Sequence, residues 1–360
     1  MKSNYYYDLA DDLKKYPDAW AYLIWSGRNT GKTYSTLKYC LDRNLKFVFI
    51  KRTKEDVALL TSGSGKVGSK RSEYGADMSP FKAINRDTGS NIHAFDIYKN
   101  YIGGFWRCDD EGAAVGAPIG YIVALSTAAK VKGFDLSDCD VMIFDEFIPN
   151  AWEITKRGEG KQILDLYMTI ARDREHRGKD PLKLIALANP TALRCGLFEV
   201  LEVTDTVARM SQTGEEYHEQ KGILLHQIQM GANFQRQEEN MDILQTMAGT
   251  DWADMSLGSG FAYNDMSMIR SVPLKGYVCV YEVRYKKNVW YIYQKDGDYY
   301  VCTSRGKARA VYDLNTDIGV RAFYREVQMD LKDDYINGCV VFQTYTMYDV
   351  LINFRKYFDI

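Results

Sequence analysis

Tyr22-Leu-Ile-Trp-Ser-Gly-Arg-Asn-Thr-Gly-Lys-Thr-Tyr34 is the stretch on which the fold turns. Ala21 to Trp25 reads as a short apolar strand. A glycine-bearing loop follows, ends in Gly31-Lys32-Thr33 and opens into a helix from Tyr34 to about Asn44. Strand, loop and helix in this order are the context a phosphate-binding loop requires. Backbone N–H groups of Ser26, Gly27, Arg28, Asn29, Thr30 and Gly31, with those of the helix N-terminus, would face the phosphates. Lys32 would reach the outer phosphates and the Thr33 hydroxyl would ligate Mg2+. The usual pattern, G-x-x-x-x-G-K-[ST], has glycine where this chain has Ser26. Gly27 follows and supplies flexibility.

Length and composition bound what surrounds this loop. At 360 residues the chain suggests two domains, or one large domain with an appendage. Apolar residues at 46% and aromatics at 13% are ample for a core. The sequence contains no apolar run of the roughly 18 residues that a membrane span needs, and residues 1–8 lack the apolar stretch of a secretory signal. Seven scattered cysteines without any C-x-x-C read as buried thiols of a reducing compartment, and with four histidines no histidine metal site is expected. Net charge is −2, so composition does not announce a nucleic-acid binder. Locally the balance is uneven. Between Lys46 and Ser72 seven basic residues (Lys46, Lys51, Arg52, Lys54, Lys66, Lys70, Arg71) face two acidic ones, Glu55 and Asp56.

Outward from the phosphate loop, Tyr7 to Tyr16 reads as an amphipathic helix ended by Pro17. Phe47-Val-Phe-Ile50 is a buried parallel strand and completes a βαβ unit. Residues 61–72 read as a flexible basic loop, either simply solvated or touching a phosphate backbone through Lys66, Lys70 and Arg71. Residues 92–106 suggest a hairpin around Gly103-Gly104, and Tyr121 to Leu125 another strand.

Val141-Met-Ile-Phe-Asp-Glu146 is the second informative stretch. Four apolar residues need burial on both faces, and the carboxylates then emerge at the strand's C-terminal edge, where open α/β sheets bind ligands. Asp145 would hold Mg2+ and Glu146 would polarise a water attacking the γ-phosphate. The pair favours an ATP hydrolase doing mechanical work over a kinase, which needs no such glutamate. Leu182 to Ala188 is a buried strand ending in Asn189-Pro190, and the Asn189 amide at its tip can both donate to a phosphate and accept from a water.

Residues 160–177 read as one helix ended by Gly178. At about 100° per residue, Arg172 and Arg174 would lie about 200° apart. Arg174 continues the apolar face and reads as structural; Arg172 is free to reach a neighbour. A salt-bridged helix end is the other reading of both. Gly222 to Ile228 would be the last strand of this domain, and residues 230–257 a linker or lid. These features set boundaries at 1–229 for the nucleotide domain and 258–360 for a C-terminal domain.

The C-terminal region changes character. Tyr277–Tyr285, Val289–Gln294 and Tyr299–Ser304 read as strands with turns at Lys286-Lys-Asn288 and Asp296-Gly297. A helix over Gly319–Leu331, a strand over Gly338–Tyr345 and a helix over Asp349–Phe358 follow. Three antiparallel strands and then α, β, α is the order of an RNase H-like fold. Nucleases on that fold need convergent carboxylates for two metals. Glu282 is the only acid on the first strand, and Gly338–Tyr345 carries none, so nuclease activity is not expected. Lys286, Lys287, Arg305, Lys307 and Arg309 fit nucleic-acid binding or a wet surface.

Taken together, the chain resembles the genome-packaging ATPases of small podophages that use a packaging RNA, compact relatives of the terminase large subunits. The resemblance rests on Ser26-Gly-Arg-Asn-Thr-Gly-Lys-Thr33, Val141-Met-Ile-Phe-Asp-Glu-Phe147, Arg172-Asp-Arg-Glu175, Leu187-Ala-Asn189 and Asn337-Gly338…Phe342. It implies an additional-strand (ASCE) P-loop NTPase, α/β with a mostly parallel sheet, plus a smaller α+β domain similar to a degenerate nuclease. It also implies a homomeric ring, pentameric in the family, docked on a prohead portal in the host cytoplasm and pumping double-stranded DNA with ATP and Mg2+. By the same resemblance Arg28 senses nucleotide in its own subunit, Arg172 acts on the neighbour's ATP, and Lys130 works between subunits. The rival readings are a ring helicase, a terminase that also cuts DNA, a P-loop kinase, and a nucleotide-dependent binding switch without turnover.

Overall fold

The computed structural model describes residues 6–63, 78–131, 133–150, 153, 158–229, 242, 246–247, 250, 261 and 266–360. The basic-loop residues Lys66, Lys70 and Arg71, and nearly all of the expected linker 230–257, lie outside these. The chain divides into two units, Met1–Val203 with Arg209–Tyr263, and Thr204–Ala208 with Asn264–Ile360. Among the described residues no helix is long and apolar enough to cross a membrane.

The first unit is built on β1 (Ala21–Trp25), β2 (Phe47–Lys51), β3 (Ile92–Tyr98), β4 (Ile102–Cys108), β5 (Ala114–Ala124), β6 (Val141–Asp145), β7 (Lys183–Ala188), β8 (Tyr217–Gln220) and β9 (Ile223–Gln227). Its sheet runs β3-β4-β5-β2-β6-β7-β1-β9-β8 among the described residues. The six strands from β5 to β9 are parallel, and antiparallel strands close both edges. Every residue of β1 is buried, as a central parallel strand covered on both faces demands. Alternate residues divide between two apolar layers. Tyr22, Ile24, Phe47, Phe49, Ile143 and Ile185 share one core with Phe81 and Phe105. On the other side the rings of Trp25, Phe147, Phe198 and Phe261 pack edge to face or tilted.

β1 and β2 do belong to one parallel sheet, but they are not neighbours. β6 and β7 stand between them, so the strand ending at Asp145 is separated from β1 by the strand that leads into Asn189. Helix α1 (Leu9–Lys15) starts under the Asp8 side chain, which accepts from the Ala10 N–H. Helix α2 (Lys32–Asp42) begins two residues earlier than the sequence reading, directly on the left-handed Gly31. Helices α3 (Lys54–Thr61) and α4 (Lys82–Thr88) follow, α3 closed by a Thr53/Asp56 capping box. A short helix α5 (Ala128–Val131) carries Lys130.

Two local expectations are corrected. The β3–β4 hairpin turns at Lys99-Asn100, whose φ values of 47° and 58° make the left-handed pair a tight hairpin uses. Gly103 and Gly104 instead lie within β4, where a Cβ on Gly104 would stand 2.7 Å from the Trp106 ring. The helix expected over 160–177 ends early. α6 (Glu159–Ile170) is capped at Ala171, Asp173 takes a left-handed φ of 58°, and a 3-10 turn at Glu175–Arg177 ends on Gly178. Arg172 and Arg174 therefore share no helix, and the angular argument that separated them does not apply. Helices α7 (Gly196–Leu201) and α8 (Thr204–Thr213) complete this stretch.

The second unit holds β10 (Val278–Tyr285), β11 (Asn288–Lys295), β12 (Asp298–Cys302), β13 (Ala310–Asp313) and β14 (Val340–Phe342) in the order β13-β10-β11-β12-β14. The Asp296-Gly297 turn joins β11 to β12 with both residues left-handed. The sequence reading passes over β13, a four-residue strand pairing parallel with β10 and reached without a helix. β14 pairs parallel with β12 on the opposite edge. The single helix expected over Gly319–Leu331 is α9 (Asp317–Phe323), a π-helical turn and α10 (Met329–Ile336). The last helix, α11 (Tyr345–Ile352), starts four residues before the expected one. Val283, Ile292, Val301, Phe323, Phe342 and Leu351 form this unit's core.

Candidate nucleotide site

The C-terminal ends of β1, β6 and β7 open into one cleft of about 330 Å3, lined by Arg28 to Tyr34, Asp145, Glu146 and Leu187 to Asn189. The loop from Ser26 to Gly31 curls through two left-handed residues, Asn29 at φ 60° and Gly31 at φ 82°. Asparagine tolerates that region and glycine adopts it freely. Ser26, where glycine is usual, is fully buried, and its hydroxyl bonds the Thr30 hydroxyl at 2.7 Å. The serine thus cross-braces the loop from inside.

Lys32 folds back over this loop. Its Nζ lies 2.7 Å from Ser26 Oγ, 3.0 Å from the Gly27 carbonyl, 3.1 Å from Thr30 Oγ1 and 3.3 Å from Asn189 Oδ1. Burial pushes its ammonium down to about 7, against the smaller upward pull of Asp145. The Thr33 hydroxyl donates to Asp145 Oδ1 at 3.0 Å. That hydroxyl and carboxylate are hard oxygen donors of the kind Mg2+ takes alongside waters and substrate phosphates. Among the described residues there is no cluster of three or more His, Cys, Asp or Glu side chains. A metal here would be held through a hydroxyl, one carboxylate and the nucleotide itself.

Two residues that the sequence reading counted only as local basic charge belong to the site. Lys51 lies one position beyond the Ile50–Phe144 register pair and so stands beside Asp145. Its Nζ is 2.9 Å from Asp145 Oδ2 and 3.2 Å from Glu146 Oε2. Burial opposes its charge, but the two carboxylates outweigh that and hold its pKa above the ordinary lysine value. Arg52 bridges Glu159 at 3.0 and 3.2 Å and Glu153 at 3.2 Å. It also donates to the backbone carbonyls of Glu146 and Phe147. That matters because Glu146 has φ 59°, a conformation costing a non-glycine residue about 1–3 kcal/mol. Arg52 clamps the strained turn that lifts the Glu146 carboxylate out of the sheet, 71% exposed, while Asp145 stays at 15%. Lys46 pairs with Asp138 and Lys54 with Glu55 as well, so each of the four basic residues described between 46 and 72 lies against a carboxylate.

The remaining sequence candidates stand apart. Arg172 is exposed and does not line the cleft. Arg174 is buried: it donates to the Asp180 carbonyl at 2.7 Å and to the Cys139 carbonyl, and meets Asp140 at 3.2 Å. Arg174 thereby ties the irregular segment after α6 to the entry of β6. Lys130 is exposed, and its Nζ donates to the Tyr101 hydroxyl at 3.3 Å.

No protein-family model matches the chain. No curated protein matches it. Solved structures do. A chain of the bacteriophage phi29 viral genome packaging motor assembly superposes with a TM-score of 0.65 at 16% identity, covering 98% of this chain and 99% of that one. The Phi-28 gp11 DNA packaging motor gives 0.55 at 17% identity, covering 99% and 97%. At this identity the likeness is one of fold. Over its whole length this chain has the α/β architecture of those phage packaging-motor proteins.

Proposed function

We propose that the chain is an ATP-hydrolysing motor that translocates double-stranded DNA into a viral prohead. The observation that carries the reading is the convergence of Lys32, Thr33, Asp145, Glu146 and Asn189 on one cleft, in a fold shared with packaging-motor chains. β7 standing between β1 and β6 supports the additional-strand P-loop class. In this reading the loop from Ser26 to Thr33 holds ATP, and Thr33 and Asp145 hold Mg2+, which neutralises phosphate charge when bound. Lys32 leaves the loop oxygens for the outer phosphates. Glu146, released from Lys51, accepts a proton from the attacking water, and Asn189 orients that water or the phosphate. Arg172 of a neighbouring subunit reaches the transition-state charge, and Lys130 serves the same interface. Arg28 reads the nucleotide of its own subunit.

The wider reading is a homomeric ring, pentameric, on a prohead portal in the host cytoplasm, with a packaging RNA among its partners. The basic loop with Lys66, Lys70 and Arg71 contacts DNA. The second unit holds nucleic acid or portal as a vestigial nuclease. Its antiparallel β10-β11-β12 meander supports a nuclease-like ancestry, while β13, a fourth strand reached from β12 without a helix, departs from the expected order.

Steady-state ATP hydrolysis with and without duplex DNA, with Lys32→Ala as the blank, tests the function. The expected result is hydrolysis lost in the variant and raised several-fold by duplex. Stimulation by single strands alone favours the helicase, and no turnover in a crosslinked ring favours the binding switch.

A further inference from the structure

His226 is a titratable group sealed inside the first unit that no step above uses. It stands on β9, next to β1 in the sheet, and its side chain is only 4% exposed. Nδ1 lies 2.7 Å from Asp12 Oδ2 on α1, a carboxylate that is buried as well. The ring stacks on Tyr217 at 4.1 Å between centroids and tilts against Tyr7 at 5.7 Å. Nε2 is buried and makes no hydrogen bond among the described residues; the Glu216 carboxylate is 3.7 Å away, beyond bonding reach. An unmatched buried ring nitrogen is unfavourable, and a hydrocarbon side chain would fill the slot without that cost. What the histidine contributes over a hydrocarbon must therefore pass through Nδ1.

From Nδ1 a line of hydrogen bonds runs to the phosphate loop. Asp12 Oδ2 also accepts from the Tyr7 hydroxyl at 2.9 Å. Burial, and then the neighbouring Asp12, hold the pKa of that hydroxyl well above its ordinary value, so it stays a donor. The Tyr7 main-chain N–H donates to the Thr30 carbonyl at 3.0 Å. Thr30 is buried within the loop, its hydroxyl 2.7 Å from Ser26 Oγ and 3.1 Å from Lys32 Nζ. Leu9 N–H, donating to Ser35 Oγ on α2 at 2.9 Å, holds the far end of the segment, but Tyr7 is the residue bonded to the loop itself. Thr30 also stands between Asn29 and Gly31, the two left-handed residues that set the loop's curl.

We propose that His226 is a positioning residue for phosphate binding: by holding Asp12 it fixes Tyr7, and Tyr7 fixes the Thr30 carbonyl and with it the curl of the loop. The inference rests on the phosphate-loop reading above. A cradle of main-chain N–H groups binds an anion well when its shape is set before the ligand arrives. The brace that sets it comes from β9 and α1, outside the loop's own sequence.

The probe is magnesium tripolyphosphate, which engages the phosphate loop without a nucleoside, titrated calorimetrically into the full chain. His226→Leu, which has no donor, is expected to weaken binding roughly tenfold. His226→Asn, whose amide N–H can stand where Nδ1 stands, is expected to restore most of that loss. Tyr7→Phe breaks the same line one bond further on and should also cost roughly tenfold; it carries the test if His226→Leu does not fold. The double variant should lose no more than either single one, as members of one line do. A histidine that only stabilised the fold would lower the melting temperature and leave affinity unchanged. That result overturns the proposal, as do losses that multiply in the double variant or a failure of His226→Asn to rescue. Affinity unchanged in Lys32→Ala overturns the phosphate-loop reading and this inference with it. Affinity lost in Lys32→Ala but kept in His226→Leu and Tyr7→Phe overturns this inference alone.

Discussion

Lys51 and Asp145 end adjacent parallel strands and meet at 2.9 Å, so the carboxylate proposed to hold a metal is already neutralised by a lysine of the same chain. The same ammonium reaches Glu146 at 3.2 Å. Both members of the Lys51–Asp145 pair are mostly buried, so removing the cation leaves a desolvated carboxylate. Lys51→Ala should cost about 2 kcal/mol, less than the 3–5 of a fully buried pair. Mg2+ should then restore much of that loss by taking the lysine's place. Thermal unfolding with and without Mg2+ checks this: the Mg2+-dependent rise in midpoint should be larger in the variant than in the wild type, and equal rises would contradict it.

Glu146→Gln keeps the size and the left-handed turn but cannot accept a proton. It should bind ATP with near wild-type affinity and lose about 10²–10⁴-fold in turnover. Equilibrium binding and single-turnover hydrolysis measure the two separately. Normal hydrolysis would move the catalytic role to another residue.

The low pKa of Lys32, about 7 against an ordinary 10.5, gives a pH signature. The folded empty protein binds fewer protons than the unfolded chain between those values. This group therefore makes stability rise with pH across that window. Nucleotide binding has the opposite dependence, because phosphate needs the ammonium. Affinity should fall as pH rises above about 7, and binding near pH 8 should take up a proton. The enthalpy of ADP binding near pH 8 should depend on the buffer's ionisation enthalpy; a buffer-independent value would show that Lys32 is already charged.

If Arg172 acts on a neighbour's nucleotide, two inactive proteins complement each other. Arg172→Ala subunits keep a sound nucleotide site, and Lys32→Ala subunits keep the arginine. Mixtures should recover hydrolysis at some ratios, since such an arginine is worth about 10³–10⁵ in rate. No recovery at any ratio places Arg172 within its own subunit or outside the chemistry.

What the sequence determined by itself is what local pattern encodes. A buried strand running into Gly31-Lys32-Thr33, four apolar residues before Asp145-Glu146, and a strand ending at Asn189 were all legible, because burial on both faces and helix initiation are written in consecutive residues. The Asp296-Gly297 hairpin was legible for the same reason. Strand order was not, since pairing joins residues far apart in the chain. Only the folded sheet puts β7 between β1 and β6, and only it sets Lys51 beside Asp145 and Arg52 beneath Glu146. The break after Ile170 also came from tertiary structure. Helical periodicity continues in the sequence there, but Arg174 turns inward to the Cys139 and Asp180 carbonyls, and that long-range anchoring ends the helix where local propensity alone would have extended it.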